Sequence, residues 1–289
     1  MADTDLRDRI AKQFSYGHDR ADIWRAFEVF LATDRYLNLG YSAWYQPHVL
    51  GSCQRRLVEH VGSLLAANLP RSRGVTLLDI GAGRGGPATQ LADRFGFRVV
   101  GVDLVPYNVS RARRHGEAVD ASFVVGDATT LPFRSRTMDA GTAIDSLVYL
   151  PEKNTVFAEL SRVLDSGGVV VLSDLVREAD ISDRQRQAVN AFAAAWDMPP
   201  LVSMTEYTDA LRECGFAVRT VSDITANSVG RFRTWTTLYR WLTGGSMAPL
   251  VDRLLRRSGL NPSAITLQID RAHDALPSLR HITAVAEAL

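Results

Sequence analysis

The sequence predicts an α/β fold built on a parallel, doubly wound sheet. Short apolar runs alternate with helical patterns from Val75 to Asp174, which is the mark of repeated β–α–β units. Three of those runs end in an aspartate, Asp79, Asp103 and Asp127, and a glycine-rich turn follows the first. Carboxylates at neighbouring strand ends form a polar rim on the edge where such sheets bind ligands.

The elements follow in order. Residues 4–32 read as amphipathic helix, with Leu6, Ile10 and Phe14 on one face. Ile23, Phe27, Phe30 and Leu31 continue a face after a break at Tyr16-Gly17-His18. An aromatic stretch, Tyr36 to Trp44, leads to a helix over 53–68 with Leu57, Val61, Leu64 and Leu65 aligned. Residues 69–74 form a loop, and Val75 to Leu78 the first strand. The glycine turn enters a helix over 87–95. A second strand, 97–102, ends in Asp103, and a third, from Phe123, ends at Gly126-Asp127-Ala128. Met138 opens the fourth.

A helix over 155–164 and the turn Leu164-Asp165-Ser166-Gly167-Gly168 precede a fifth strand, 168–173. Residues 182–198 are helical up to Asp197-Met198-Pro199-Pro200. Thr205 caps the next helix, Glu206 sits in its first turn, and Gly215 stops it. Residues 216–221 make the sixth strand. Two helices occupy 230–257, separated by Gly244-Gly245. Residues 279–287 fit a seventh strand, though their alanines and weak alternation leave a terminal helix open.

The 289 residues suffice for one sizeable α/β domain with added helices, or for two small domains. A net charge of +1 gives no bulk attraction for nucleic acid or an anionic membrane. No apolar run reaches the length of a membrane span, and the charged N-terminus does not read as a signal peptide. The two cysteines, Cys53 and Cys214, form no paired framework, as expected of a cytoplasmic protein. The six histidines fall in no metal-ligand spacing, so no metal is expected.

The glycine turn reads Asp79-x-Gly81-x-Gly83-x-Gly85. Glycine serves where φ is positive or where the backbone must approach a ligand. Gly81, Gly83 and Gly86 also have the G-x-G-x-x-G spacing of dinucleotide sites, so the glycines alone decide little. Asp103 stands about 20 residues further on, at a strand end, where a carboxylate can accept from both hydroxyls of a ribose.

Taken as an ordered set, Asp79 to Gly85, Asp103, Gly126-Asp127-Ala128, Leu131-Pro132-Phe133 and Leu164 to Gly168 resemble the class I S-adenosylmethionine-dependent methyltransferases, within the group acting on sugars, polyketides and terpenoids. The resemblance covers about residues 75–175. It implies a Rossmann-like, seven-stranded, mostly parallel sheet with helices on both faces and an antiparallel last strand. It also implies three regions: a helical cap or lid over 1–54, a cofactor-binding core over 55–225, and a helical insertion over 226–289 ahead of a closing strand at 279–287.

By the same resemblance the cofactor is S-adenosylmethionine. Asp79, Gly81, Ala82 and Gly83 would receive its methionine part. Asp103 would take the ribose, with Leu104 beside the adenine, and Asp127 and Ala128 would hold the adenine edge. Tyr36, in the lid, and Asp145, after the fourth strand, complete the expected cofactor contacts. Transfer from a sulfonium needs alignment more than acid–base chemistry. Related sugar enzymes place a histidine after the fourth strand and an aspartate after the fifth. Here Tyr149 and Asp174 occupy those places, and Asp145 is the third catalytic candidate. An unperturbed tyrosine is a poor base near neutral pH.

The expected partner is a small-molecule acceptor, without nucleic acid or membrane, and a homodimer is left open. Tyr36, Tyr41, Trp44, Trp196, Phe232, Trp235 and Trp241 supply aromatic surface for an apolar or polycyclic acceptor methylated on oxygen or carbon. The alternatives are a non-methylating reaction such as cyclisation on the same fold, or methylation of RNA or protein.

Overall fold

The computed structural model describes Asp8, Ala11, Phe14, Arg25, Ala26, Glu28, Val29, residues 34–70 and residues 74–289. The seven described residues before position 34 are helical. The rest of the helix expected over 4–32, including its break at 16–18, lies outside the described residues.

Seven strands form one sheet in the order β3-β2-β1-β4-β5-β7-β6. They are β1 (Thr76–Ile80), β2 (Arg98–Asp103), β3 (Ala121–Val125), β4 (Met138–Ile144), β5 (Leu164–Arg177), β6 (Phe216–Asp223) and β7 (Leu279–Ala288). The first five run parallel, and β7 pairs antiparallel with both β5 and β6. This settles residues 279–288 as a strand. Their weak alternation has a physical cause: helices cover both faces, so eight of the ten residues are buried and the polar half of the pattern is missing.

Helices α1 (Ser52–Asn68), α2 (Gly86–Phe95) and α3 (Pro106–Gly116) cover one face, through Leu57, Val61, Leu91 and Ala112. Helices α4 (Lys153–Val163) and α6 (Met204–Glu213) cover the other, through Phe157, Leu160, Tyr207 and Leu211. The cap of α6 is Ser203, two residues before the expected Thr205. Its hydroxyl accepts from the Glu206 amide, and Glu206 accepts from the Ser203 amide at 2.6 Å.

A third apolar cluster lies over the C-terminal edge of the parallel strands. It joins α5 (Asp183–Ala195) to the insertion between β6 and β7. The two helices expected over 230–257 are α7 (Phe232–Thr243) and α8 (Ala248–Arg257), and a third not read from the sequence, α9 (Pro262–Ala275), follows them. The third starts at an Asn261 cap whose side chain accepts from the amides of Ser263 and Ala264. Among the described residues no helix is long and apolar enough to cross a membrane.

Candidate active site

The turn after β1 passes close under the end of β4. Gly81, Gly83 and Gly85 take φ of 69°, 54° and 84°. A Cβ on Gly81 would lie 2.3 Å from the Cβ of Ser146, so the crossing leaves no room for a side chain. The bare backbone of Gly81, Ala82 and Gly83 instead forms one wall of a cavity.

Asp103 stands on the next wall. One carboxylate oxygen accepts from the Gly83 amide at 2.8 Å, and the other from the Val105 amide at 2.9 Å and the Asn108 side chain at 3.2 Å. These donors lower its pKa, but burial outweighs them and the carboxyl sits above its usual range. Asn108 turns its own Oδ1 into the buried wall, with no hydrogen-bond partner among the described residues. Leu104, Gly126, Asp127 and Ala128 complete this end. Asp127 accepts from the amide and hydroxyl of Thr129 at 2.8 and 2.7 Å, which fixes its carboxylate at the rim. The cavity holds about 920 Å³ of non-atom space and opens to solvent.

A second cavity, about 850 Å³, adjoins it between α5, α7, α9 and the end of the sheet. Its lining is apolar almost throughout: Val148, Leu175, Phe192, Trp196, Phe232 and Ile269 are typical. Leu37, Asn38, Asp145 and Tyr149 line both cavities and form the wall between them. Asn38 is buried, and its Nδ2 has no hydrogen-bond partner among the described residues. The segment carrying Leu37 and Asn38 crosses the glycine turn. The Arg35 carbonyl accepts from the Gly86 amide at 3.2 Å, and Gln54 on α1 donates to the carbonyls of Tyr36 and Asn38.

Asp145 is the most heavily engaged group here. It has φ of 55°, in the left-handed region that few non-glycine residues occupy. One oxygen accepts from the Ser173 hydroxyl at 2.6 Å and meets His281 Nε2 at 2.8 Å; the other accepts from the Leu39 amide at 2.7 Å. Burial pushes this carboxyl up. His281, Ser173 and Leu39 together more than offset that and hold it below the usual carboxylate range.

Several expected residues stand elsewhere. Asp174 is fully buried and lines neither cavity, because alternation along β5 sends Ser173 and Leu175 toward the site and Asp174 to the opposite face. There it sits near Lys153 and Tyr207, pushed up to about 7, mostly by burial. A base role at the acceptor does not fit that position. Asp79 is buried beneath the turn and off the cavity wall. Burial first, and then the charge of Asp103, push it up to about 8. Tyr36 donates its hydroxyl to Gln90 on α2 at 2.9 Å, on the outer side of the segment that crosses the glycine turn, so it does not face the first cavity.

Of the seven aromatic residues expected to build an acceptor pocket, Trp196 and Phe232 line the second cavity. Trp44, Trp235 and Trp241 are exposed, and Tyr41 stacks on His60 with ring centroids 4.8 Å apart. His281 was not singled out from sequence. Arg84 is buried under the turn and pairs with Glu28 of the N-terminal helical segment at 2.9 Å. Among the described residues no group of three His, Cys, Asp or Glu side chains could hold a metal ion.

A glycine turn, an acid-tipped second strand and a closing antiparallel strand define the class I S-adenosylmethionine-dependent methyltransferases, and comparison with known proteins agrees. Residues 78–172 match the family model described as a methyltransferase domain. The chain is 34% identical over 202 residues to O-methyltransferase cnsE of Penicillium expansum, spanning 66% of this chain and 69% of that one. It is 30% identical over 199 residues to O-methyltransferase resE of Aspergillus sclerotiorum, spanning 66% of this chain and 72% of that one. The fold superposes with TM-score 0.73 on geranyl diphosphate methyltransferase in complex with GPP and sinefungin, at 21% identity, covering 98% of this chain and 100% of that one.

The chain belongs to this family of enzymes, and its cofactor is S-adenosylmethionine. The walls suit that molecule chemically. Asp103 and the unclaimed Asn108 oxygen offer acceptors for ribose hydroxyls. The glycine backbone leaves a wall free of side chains, and Asp145 sets a negative charge at the inner end. The relatives favour methyl transfer to a small molecule over the cyclisation and macromolecular alternatives.

Proposed function

We propose that the first cavity takes S-adenosylmethionine and the second takes an apolar small molecule, methylated on oxygen or carbon where the two meet. The observation that carries this reading is the shared wall. Two adjoining cavities, the first with polar groups in its wall and the second apolar almost throughout, have Leu37, Asn38, Asp145 and Tyr149 in common.

The cofactor supplies a methyl group already activated by a cationic sulfur. What remains for the protein is alignment and exclusion of water. Asp103 and Asn108 would hold the ribose, and Asp127 and the Ala128 amide the adenine edge, while Leu104 would flank the ring. Gly81, Ala82 and Gly83 would receive the methionine part, with Asp79 acting through the turn from below. Residues 34–50 would serve as the cover.

The acceptor's attacking atom forms its bond to the methyl carbon as the sulfur–methyl bond breaks. A hydroxyl acceptor also gives up a proton, and Asp145, the carboxylate in the shared wall, would take it only in passing on its way to solvent, because its partners hold it below the usual carboxylate range. Tyr149 packs edge-on against Phe14, with ring centroids 5.2 Å apart, and fills the wall beside Asp145. The near-balanced charge supports a neutral, apolar partner, and two free cysteines support a reducing, cytoplasmic setting.

The test separates the cavities. Ala272 on α9 lines only the second. Ala272→Phe should cut release of S-adenosylhomocysteine by about tenfold or more across a panel of small apolar alcohols and phenols, since one added ring outweighs the 1–3 kcal/mol typical of a misfit methylene. Cofactor affinity by calorimetry should stay within about threefold. Undiminished turnover in the variant would sink the assignment of the second cavity.

A further inference from the structure

We propose that His281 is a positioning residue for methyl transfer. From behind Asp145 it keeps that carboxylate charged and aimed at the junction of the two cavities. The inference rests on the proposed function above, because it needs the donor's cationic sulfur at that junction.

His281 lies near the start of β7, where the antiparallel strand reaches the ligand edge of the sheet. It pairs in register with Leu175 of β5. The side chain is completely buried and lines neither cavity, so Asp145 stands between it and any bound molecule. Both ring nitrogens are spoken for. Nε2 lies 2.8 Å from Asp145 Oδ1 and 2.8 Å from Ser173 Oγ, while Nδ1 lies 2.5 Å from Ser228 Oγ. Asp145 has no proton to offer when ionised, so the proton of the short contact sits on Nε2.

The ring is also held through its backbone. The Thr225 hydroxyl accepts from the His281 amide at 2.9 Å, and the His281 carbonyl accepts from the Ile224 amide at 2.8 Å. Ser228 and Thr225 belong to the connection from β6 into the insertion. The segment that leads into the wall of the acceptor cavity therefore also seats the histidine.

Asp145 needs this support. A buried carboxylate tends to take a proton, and a neutral Asp145 offers nothing to a sulfonium. The surrounding groups do not replace His281. From the far face of β5 come Asp174, pushed up to about 7 and a like charge only once ionised, and with it Tyr207 and Lys153. His48 and His60 lie on the His281 side; burial lowers both, so neither supplies a cation at neutral pH. Tyr149 faces the cavities, and the Leu39 amide is a neutral donor on the other oxygen. His281 is the partner from which Asp145 draws both charge attraction and a hydrogen bond. Because Asp145 Oδ2 also fastens Leu39, the same histidine steadies the cover segment.

The test compares S-adenosylmethionine with S-adenosylhomocysteine. The two share adenosine, ammonium and carboxylate, so their affinity ratio isolates the sulfur charge. Calorimetry from pH 5.5 to 8.5 should give a nearly flat ratio for the natural protein. In His281→Leu the ratio should fall about tenfold at pH 5.5 and recover toward pH 8.5, as expected when a buried carboxyl no longer held down by its partner carries a proton in about nine-tenths of the molecules at the lower pH. His281→Gln, which returns a neutral donor near the Nε2 position, should restore much of the loss. Should His281→Leu fail to fold, Ser228→Ala, which releases Nδ1, takes its place and should show the same trend more weakly. A ratio in these variants equal to that of the natural protein at every pH would overturn the inference. A natural protein that binds neither ligand would instead overturn the proposed function beneath it.

Discussion

Gly81→Ala tests the turn that shapes the cofactor wall. At φ of 69° an L-residue costs about 1–2 kcal/mol, because Cβ crowds the following carbonyl. The added methyl carbon would also lie 2.3 Å from Ser146 Cβ and 2.7 Å from its Oγ, so Ser146 has to move. Its hydroxyl donates to the Ile80 carbonyl at 2.7 Å, and breaking that bond costs about 1 kcal/mol more. The expected loss is therefore about 2–3 kcal/mol of unfolding free energy, read from urea titrations of the ligand-free protein.

The displaced turn should also weaken S-adenosylhomocysteine binding by about tenfold, since 1.4 kcal/mol of it falling on the bound state has that effect. Adding Ser146→Gly clears the clash but leaves the φ cost. The double variant should therefore be more stable than the sum of the single effects by about 1 kcal/mol. A loss below about 1 kcal/mol for Gly81→Ala, or strict additivity with Ser146→Gly, would refute the steric reasoning.

Two further perturbations address the carboxylates. Asp103→Asn replaces the group that accepts from Gly83, Val105 and Asn108, and removes the charge offered to the ribose. S-adenosylhomocysteine affinity should drop about 10- to 100-fold, as for hydrogen bonds to a charged group, and a calorimetric change under about threefold would count against Asp103 as ribose holder. Asp174 tests the buried side of β5 through pH. Its folded pKa of about 7 lies above the unfolded 3.8, so the folded state binds the extra proton between those values. The stability this carboxyl contributes is then greatest below pH 4, declines as pH rises to 7, and is flat above. Asp174→Asn has no such slope, so its stability relative to the natural protein should rise between pH 5 and 8 by on the order of 2 kcal/mol. Parallel urea midpoints across that range would contradict the assignment.

What could be read from the sequence was whatever is encoded locally. The turn from Asp79 to Gly85 was legible because a strand, a positive-φ bend and a helix start must follow one another within about ten residues. Asp103 was legible as the acid ending the next apolar run. Asp174 shows the limit of that method. It too ends an apolar run, but a buried strand hides its own alternation. In Val169-Val170-Val171-Leu172-Ser173-Asp174 nothing marks which face is which, and a shift of one residue moves a side chain across the sheet. The aromatic supply failed for a related reason. Phe232 and Trp235 lie three apart on α7, yet Phe232 faces the second cavity and Trp235 is half exposed, a division made by the packing of α9 against α7.

The site's central pair was invisible for a topological reason. Asp145 and His281 are 136 residues apart, and neither sits in a motif that names the other. The strand order brings them together. β7 enters between β5 and β6 and runs antiparallel, so its first residues lie beside the last residues of β5, with Leu279 opposite Arg177 and His281 opposite Leu175. A parallel final strand would deliver its C-terminal end to the ligand edge; an antiparallel one delivers its beginning. Once residues 279–288 are known to be that strand, Leu279, His281 and Thr283 become the positions sharing a face with Leu175 and Ser173. Leu279 lines the second cavity, and His281 seats Asp145. The polar residue in an otherwise apolar strand start thus carries information about the site, but only after orientation and register are fixed.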